Sequence, residues 1–176
     1  SEGLPRWLAP AGSAHTGTHY FEPWASACPR GLHQDVDVTG FAAAIDGGSL
    51  RFALSGYVRS LAGSPPDTTE IAVEYRDGAN GVTLGSATTG AIANLVPWLR
   101  LAELLQPPTG TRFLRVRMVA NGVNCASRAM GGHFDSLSLA PFDFPSLAVG
   151  DVATVEGTGV LSTLSFPVDL ACAPGF

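Results

Sequence analysis

Hydrophobicity along this chain alternates with period two in one segment after another, the pattern of half-buried β-strands. Residues 112–121 carry the clearest run, with Leu114, Val116, Met118 and Ala120 on one face and Arg115 and Arg117 on the other. Residues 49–60 set Leu50, Phe52, Leu54, Gly56 and Val58 inward and Arg51, Tyr57 and Arg59 outward. Residues 69–76 set Ile71, Val73 and Tyr75 inward, with Glu70 and Glu74 outward. In residues 32–38, Leu32, Gln34, Val36 and Val38 share a face. Shorter strands are expected near 18–21 and over 82–88, 98–101 and 132–139. At 98–101 a helical stripe through Leu95, Trp98, Leu99, Ala102 and Leu105 competes with the strand.

Turn signals punctuate these runs. Asp46-Gly47-Gly48, Ser64-Pro65-Pro66-Asp67, Asp77-Gly78-Ala79-Asn80-Gly81 and Pro107-Pro108-Thr109-Gly110 all fall between alternating segments. About eight strands at regular spacing read as an all-β sandwich. One position breaks the pattern. Asp135 has the parity of Leu137 and Leu139, which would turn a carboxylate toward the core. A buried carboxylate must be paired, hydrogen-bonded or bound to a metal.

Composition narrows the partners. The formal net charge is −5, whereas nucleic acids and anionic membrane surfaces attract concentrated basic charge. Neither is expected as a partner, and no apolar run long enough for membrane insertion as a helix is present. No signal-peptide pattern is present, and the opening Ser1-Glu2-Gly3 is expected of a mature or excised fragment. All ten basic residues are Arg. Set on neighbouring strands, Arg51, Arg59, Arg115 and Arg117 would face Glu70 and Glu74 in cross-strand pairs worth about 0.2–1 kcal/mol each. The sharper alternative for this face is a sugar- or carboxylate-binding surface.

The succession Gly17-Thr18-His19-Tyr20-Phe21, Gln34-Asp35-Val36-Asp37-Val38, Phe52-Ala53-Leu54-Ser55-Gly56-Tyr57-Val58-Arg59, Arg115-Val116-Arg117 and His133-Phe134-Asp135-Ser136-Leu137-Ser138-Leu139 resembles the galactose-binding-domain-like jelly rolls of secreted bacterial proteins. Their relatives include carbohydrate-binding modules and the F-box-associated domain. The Asn-Gly-Asp-Phe-Glu-like opening strand common in such modules is absent. The resemblance implies a jelly-roll β-sandwich over residues 1–142. Residues 143–176 would form a linker and partial strands that resemble the opening of a Calx-beta domain, carried by Pro145-Ser146-Leu147-Ala148-Val149-Gly150-Asp151 and Phe166-Pro167-Val168-Asp169-Leu170. Glu156 matches a calcium-ligand position of that second family, whose other acidic ligands lie in strands not in this chain.

The jelly-roll resemblance implies particular residues. An Asp at the place of Asp135 often helps to hold a structural calcium, with backbone carbonyls from an early loop near Gly17; Glu22 and Asp35 would add oxygens. The alternative is that Asp135 accepts hydrogen bonds from backbone or Arg at the sandwich edge. Cys28 and Cys125 would sit in loops at one end of the sandwich and form a disulfide; the alternative is two separate thiols. Cys172 is left over.

Trp24, Phe21, Trp98 and Tyr57 are the aromatic rings suited to stacking on sugars, with Trp24 in a Pro-rich loop the first choice. Arg30, Asn121, Asn124 and Arg128 would supply polar partners in the same loop cluster. A loop minicore around Trp24 is the plainer alternative. Among the histidines, His15, His19, His33 and His133, no His-x-x-x-His or His-Glu-x-x-His pattern exists. His33 and His133 would lead into strands lying side by side.

No reaction is specified. There is no Gly-x-Ser-x-Gly elbow, phosphate-cradling loop or dinucleotide fingerprint. The implied role is a non-catalytic extracellular binding or adhesion module of a larger secreted or surface bacterial protein, with a glycan or cell-surface polysaccharide as partner. The alternative is a structural subunit of an extracellular filament or stalk, self-associating by β-augmentation through its C-terminal strands.

Overall fold

The computed structural model describes residues 5–8, 14–23, 29–60, 66–93, 97–122, 132–143, 146–149 and 168–171. The chain divides into two units, Ser1–Phe142 and Asp143–Phe176. Among its described residues the first holds nine strands: β1 (Pro5–Leu8), β2 (Tyr20–Pro23), β3 (Arg30–Asp37), β4 (Leu50–Ser60), β5 (Thr68–Arg76), β6 (Thr83–Thr88), β7 (Leu99–Leu105), β8 (Phe113–Asn121) and β9 (Gly132–Asp143). They form a five-stranded sheet in the order β1-β2-β9-β4-β7 and a four-stranded sheet in the order β3-β8-β5-β6. The architecture is an all-β, antiparallel jelly-roll sandwich.

The core lies between the two sheets and follows from the alternation. On β4, Leu50, Phe52, Leu54, Val58 and Ser60 are buried while their neighbours are not. They meet Ile71, Val73 and Tyr75 from β5 and Leu114 and Ala120 from β8. Each large apolar side chain so buried contributes about 1.5–3 kcal/mol relative to exposure. Gly56 lets the layers close: a Cβ there would stand 2.8 Å from Ile71 Cδ1 and 3.1 Å from Leu137 Cγ. To one side the layers part around an apolar crevice of about 400 Å³, lined by Leu32, Val116 and Met118 from one sheet and Phe21, Leu54 and Leu139 from the other.

The β3–β4 connection, read from the sequence only as a turn at 46–48, is a 3₁₀ turn (Thr39–Phe41) running into a helix, α1 (Ala42–Asp46). Ile45 and Phe41 carry the reason for it. Ile45 is fully buried, and the Phe41 ring meets Phe52 edge-on at 5.9 Å. Asp46 then accepts from Arg112 Nη2 at 2.7 Å and from the Gly110 amide at 2.9 Å, tying this connection to the β7–β8 turn. The segment 99–105 is a strand rather than a helix because β7 completes the hydrogen bonding of β4, with Leu101 opposite Gly56 and Leu105 opposite Phe52.

Three expectations are corrected. First, Asp135 does not point toward the core with Leu137 and Leu139. Ser136 takes a left-handed φ of 51°, which breaks the alternation of β9. Phe134 and, beyond the break, Leu137 and Leu139 all pack on the core. Asp135 thereby joins His133 on the outer face. Second, His33 and His133 are not on neighbouring strands, since β3 and β9 belong to different sheets. Third, Arg51 and Arg59 do not face Glu70 and Glu74, because β4 and β5 lie in opposite layers.

The second unit contributes β10 (Ser146–Val149) and β11 (Val168–Ala171), an antiparallel pair with Ser146 opposite Ala171 and Val149 opposite Val168. No described helix is long and apolar enough to cross a membrane.

Candidate functional site

The two outer faces of the sandwich differ in chemistry. On the four-stranded sheet, Asp35 of β3 faces Arg115 of β8 in register and binds it through two hydrogen bonds, Nε–H at 2.6 Å and Nη2–H at 2.8 Å. Asn80 of the β5–β6 turn donates to the same carboxylate at 2.7 Å. Glu74 bridges Arg117 and Arg76, each at 2.8 Å. Glu70 accepts from the Thr88 hydroxyl. The Arg115 guanidinium holds the Asp35 carboxyl well below the usual carboxylate range. Of the cross-strand pairs expected, Arg117 with Glu74 is present, while Arg115 binds Asp35 and Arg76 is a further partner of Glu74.

The outer face of the five-stranded sheet is aromatic. Tyr57 and Arg59 come from β4, Tyr20 and Glu22 from β2, His133 and Asp135 from β9, and Trp98 immediately precedes β7. The Arg59 guanidinium carbon lies 4.6 Å from the centre of the Trp98 ring and 5.1 Å from that of Tyr20. Such contacts are worth about 0.5–1 kcal/mol when exposed and more when desolvated. Arg59 Nε–H donates to His133 Nδ1 at 2.9 Å. An arginine offers only donors, so Nδ1 is the accepting nitrogen and the ring proton sits on Nε2. That nitrogen faces Glu22 Oε1 at 3.8 Å, beyond hydrogen-bond reach. The Glu22 Oε2 atom is buried without a hydrogen-bond partner among the described residues.

Asp135 has a definite task here. Its Oδ2 accepts the backbone N–H groups of His15 at 2.7 Å and Thr16 at 3.2 Å. Ser136, bent by its left-handed backbone, meets the Thr16 hydroxyl at 2.7 Å and the His15 ring at 3.3 Å. The pinned segment lays the His15 imidazole on Tyr57, with ring centres 3.4 Å apart and planes inclined by 17°. Tyr20, Glu22 and His133 form the buried floor, and His15, Tyr57, Arg59 and Trp98 remain half-exposed above it.

Gly17 thus lies beside the segment that Asp135 holds, but that segment presents N–H donors to the carboxylate. Glu22 stands instead beside His133. The Asp135 contacts among the described residues are thus those of a carboxylate that pins a loop. Among the described residues no group of three or more His, Cys, Asp and Glu side chains is placed to hold a metal.

Of the rings proposed from sequence, Tyr57 and Trp98 are in the cluster. Phe21 is not: it faces Phe134 across β2 and β9 and packs on the core. Arg30 and Asn121 come together at adjoining ends of β3 and β8, where Arg30 is opposite Ala120. Trp24, Asn124, Arg128 and the cysteines Cys28, Cys125 and Cys172 lie outside the described residues, as does Glu156.

No protein-family model matches the chain, and no curated protein matches it. Solved structures do match its fold. The chain is similar to the enzymatically active domain of bacteriophage CBA120 tailspike protein 4 (12% identity, TM-score 0.57), covering 81% of this chain and 18% of that one. It is similar to Family 16 Carbohydrate Binding Module-2 (16% identity, TM-score 0.53), covering 76% of this chain and 84% of that one. It is also similar to the CBM22-1 xylan-binding domain from Paenibacillus barcinonensis Xyn10C (18% identity, TM-score 0.51), covering 81% and 85% respectively. The chain thus has the jelly-roll fold of carbohydrate-binding modules. At these identities the likeness concerns the fold.

Proposed function

We propose that the first unit is a non-catalytic glycan-binding module of an extracellular protein, and that it binds through the outer face of its five-stranded sheet. The observation that carries this is the cluster of Tyr57, Trp98, His15 and Arg59, half-exposed over a buried floor of Tyr20, His133 and Glu22. Sugar rings need apolar faces to cover their C–H surfaces and oriented polar groups for their hydroxyls. This face offers both, whereas the polar groups of the opposite face are largely committed to one another.

Affinity electrophoresis against a panel of soluble plant and bacterial polysaccharides tests the reading. At least one polysaccharide is expected to retard the chain, and Trp98→Ala is expected to weaken the retardation about tenfold, equivalent to about 1.4 kcal/mol. Retardation by no polysaccharide, or retardation indifferent to Trp98→Ala, overturns it.

A second reading concerns residues 143–176. Strands β10 and β11 pair only with each other among the described residues, and two strands alone make a marginal structure. We propose that this unit is the start of a Calx-beta-like sandwich, and that its strand edges recruit a neighbour by β-augmentation. Sedimentation across a concentration series tests it. Assembly that vanishes on deleting residues 143–176 supports it, and a strictly monomeric chain refutes it.

A further inference from the structure

Arg59 stands apart from the other arginines whose partners are known. Arg76, Arg112, Arg115 and Arg117 each bind a carboxylate within 2.6–2.8 Å. Arg59 instead spends its Nε–H on a neutral imidazole and sets its guanidinium against two adjoining aromatic rings, Tyr20 and Trp98. Among the described residues it makes no ion pair. Its Nη1 and Nη2 groups also find no acceptor there. Among the described residues neither is a buried polar atom left without a partner, as Glu22 Oε2 is. Glu22 sits against the other nitrogen of His133, so the imidazole stands between the two charges. A half-buried guanidinium held by its Nε edge, with its two Nη groups unclaimed, presents a fixed fork. Planar carboxylates fill such a fork with two parallel hydrogen bonds.

We propose that this site takes an acidic glycan, with the carboxylate of a uronic acid residue bound by the Nη groups of Arg59 and the sugar ring against the half-exposed aromatic rings. This deepens the glycan-binding reading and rests on it. The charge of the chain makes the proposal specific to this site. At a formal −5 it repels a polyanion as a whole, so retention by one requires a local cationic site rather than a general attraction.

The experiment compares polygalacturonate with its carboxyl-reduced form, which keeps the backbone linkage and loses the charge, alongside a neutral panel of xylan, mannan and galactan. The whole chain is expected to bind polygalacturonate at least tenfold more tightly than the reduced polymer. Added salt is expected to narrow that gap. Arg59→Gln is expected to abolish the preference, and Arg59→Lys, which keeps the charge without the fork, to retain part of it. Equal binding of both polymers, or binding confined to the neutral panel, overturns the uronate assignment while leaving the glycan-binding face in place. Binding to none of these polymers overturns the assignment too, and retardation by nothing on the broader panel removes the glycan reading beneath it. The polymer comparison uses the unmodified chain, so its outcome does not depend on the folding of a variant.

Discussion

The two outer faces of this sandwich are built on the same scaffold and solve their electrostatics in opposite ways. On the four-stranded sheet, acids and arginines alternate across strands until Asp35, Glu74, Arg76, Arg115 and Arg117 are joined through Asn80 in one network. On the five-stranded sheet, the arginine is set among rings and a neutral histidine, and a glutamate below retains an unmatched oxygen. A network closed on itself has little left for a ligand. A face that leaves donors and acceptors open carries a standing cost, which a ligand would relieve. On the proposed reading, the contrast separates a face built for stability from a face built for binding.

The largest expected effect is on binding. Trp98→Ala and Tyr57→Ala are each expected to weaken polysaccharide retention about tenfold or more, about 1.4 kcal/mol, while Arg115→Ala leaves it unchanged. Loss of retention on Arg115→Ala would break the contrast. Next comes Asp135→Ala, which strips the His15 and Thr16 amides of their acceptor. A destabilisation of about 1–3 kcal/mol is expected by chemical denaturation, together with weaker binding as His15 leaves Tyr57. Asp135→Asn, which keeps an acceptor, is expected to lose less.

The ion pairs of the four-stranded sheet, and the Asp46–Arg112 pair between two connections, are expected to show their smaller contribution in acid. Hydrogen bonds from Arg112 and from the Gly110 amide lower the Asp46 pKa to about 2, and Arg115 lowers that of Asp35 further. A carboxyl with a depressed folded pKa stabilises fully above its unfolded value of about 3.9. That contribution is lost as pH falls from there through the folded value. Stability is thus expected to fall below about pH 4, and Asp35→Asn and Asp46→Asn to flatten the fall between about pH 4 and 2 in acid titrations followed by circular dichroism. The smallest expected effect is that of calcium. With Asp135 satisfied by N–H donors, chelator and added calcium are expected to leave the melting temperature of the first unit unchanged.

Much of the fold was legible from alternation alone. The inward set Leu50, Phe52, Leu54, Gly56 and Val58 and the set Leu114, Val116, Met118 and Ala120 read directly, because a strand packed on one side writes its burial into every second residue. Ser136 escaped because a single left-handed residue that is not glycine leaves no compositional mark, yet it moves Asp135 to the other face. The α1 helix escaped for a related reason: one turn around Ile45 is too short to show a period.

The candidate site was legible only in pieces. Tyr57 and Trp98 stood out as rings, and Arg59 as an outward residue on an alternating strand. Their convergence with Tyr20, Glu22 and His133 depends on β2, β9 and β4 being neighbours, and strand order is not local information. Arg59 was read instead as a partner for Glu70 and Glu74, which the assignment of β4 and β5 to opposite layers rules out.

The most direct test is an amide-resolved NMR titration with oligosaccharides prepared from whichever polysaccharide retards the chain most. Shifts concentrated at Tyr20, Tyr57, Arg59, Leu99 and His133, with Asp35, Glu74, Arg115 and Arg117 unmoved, are the expected result. Shifts centred on Asp35, Glu74, Arg115 and Arg117 instead would contradict the account.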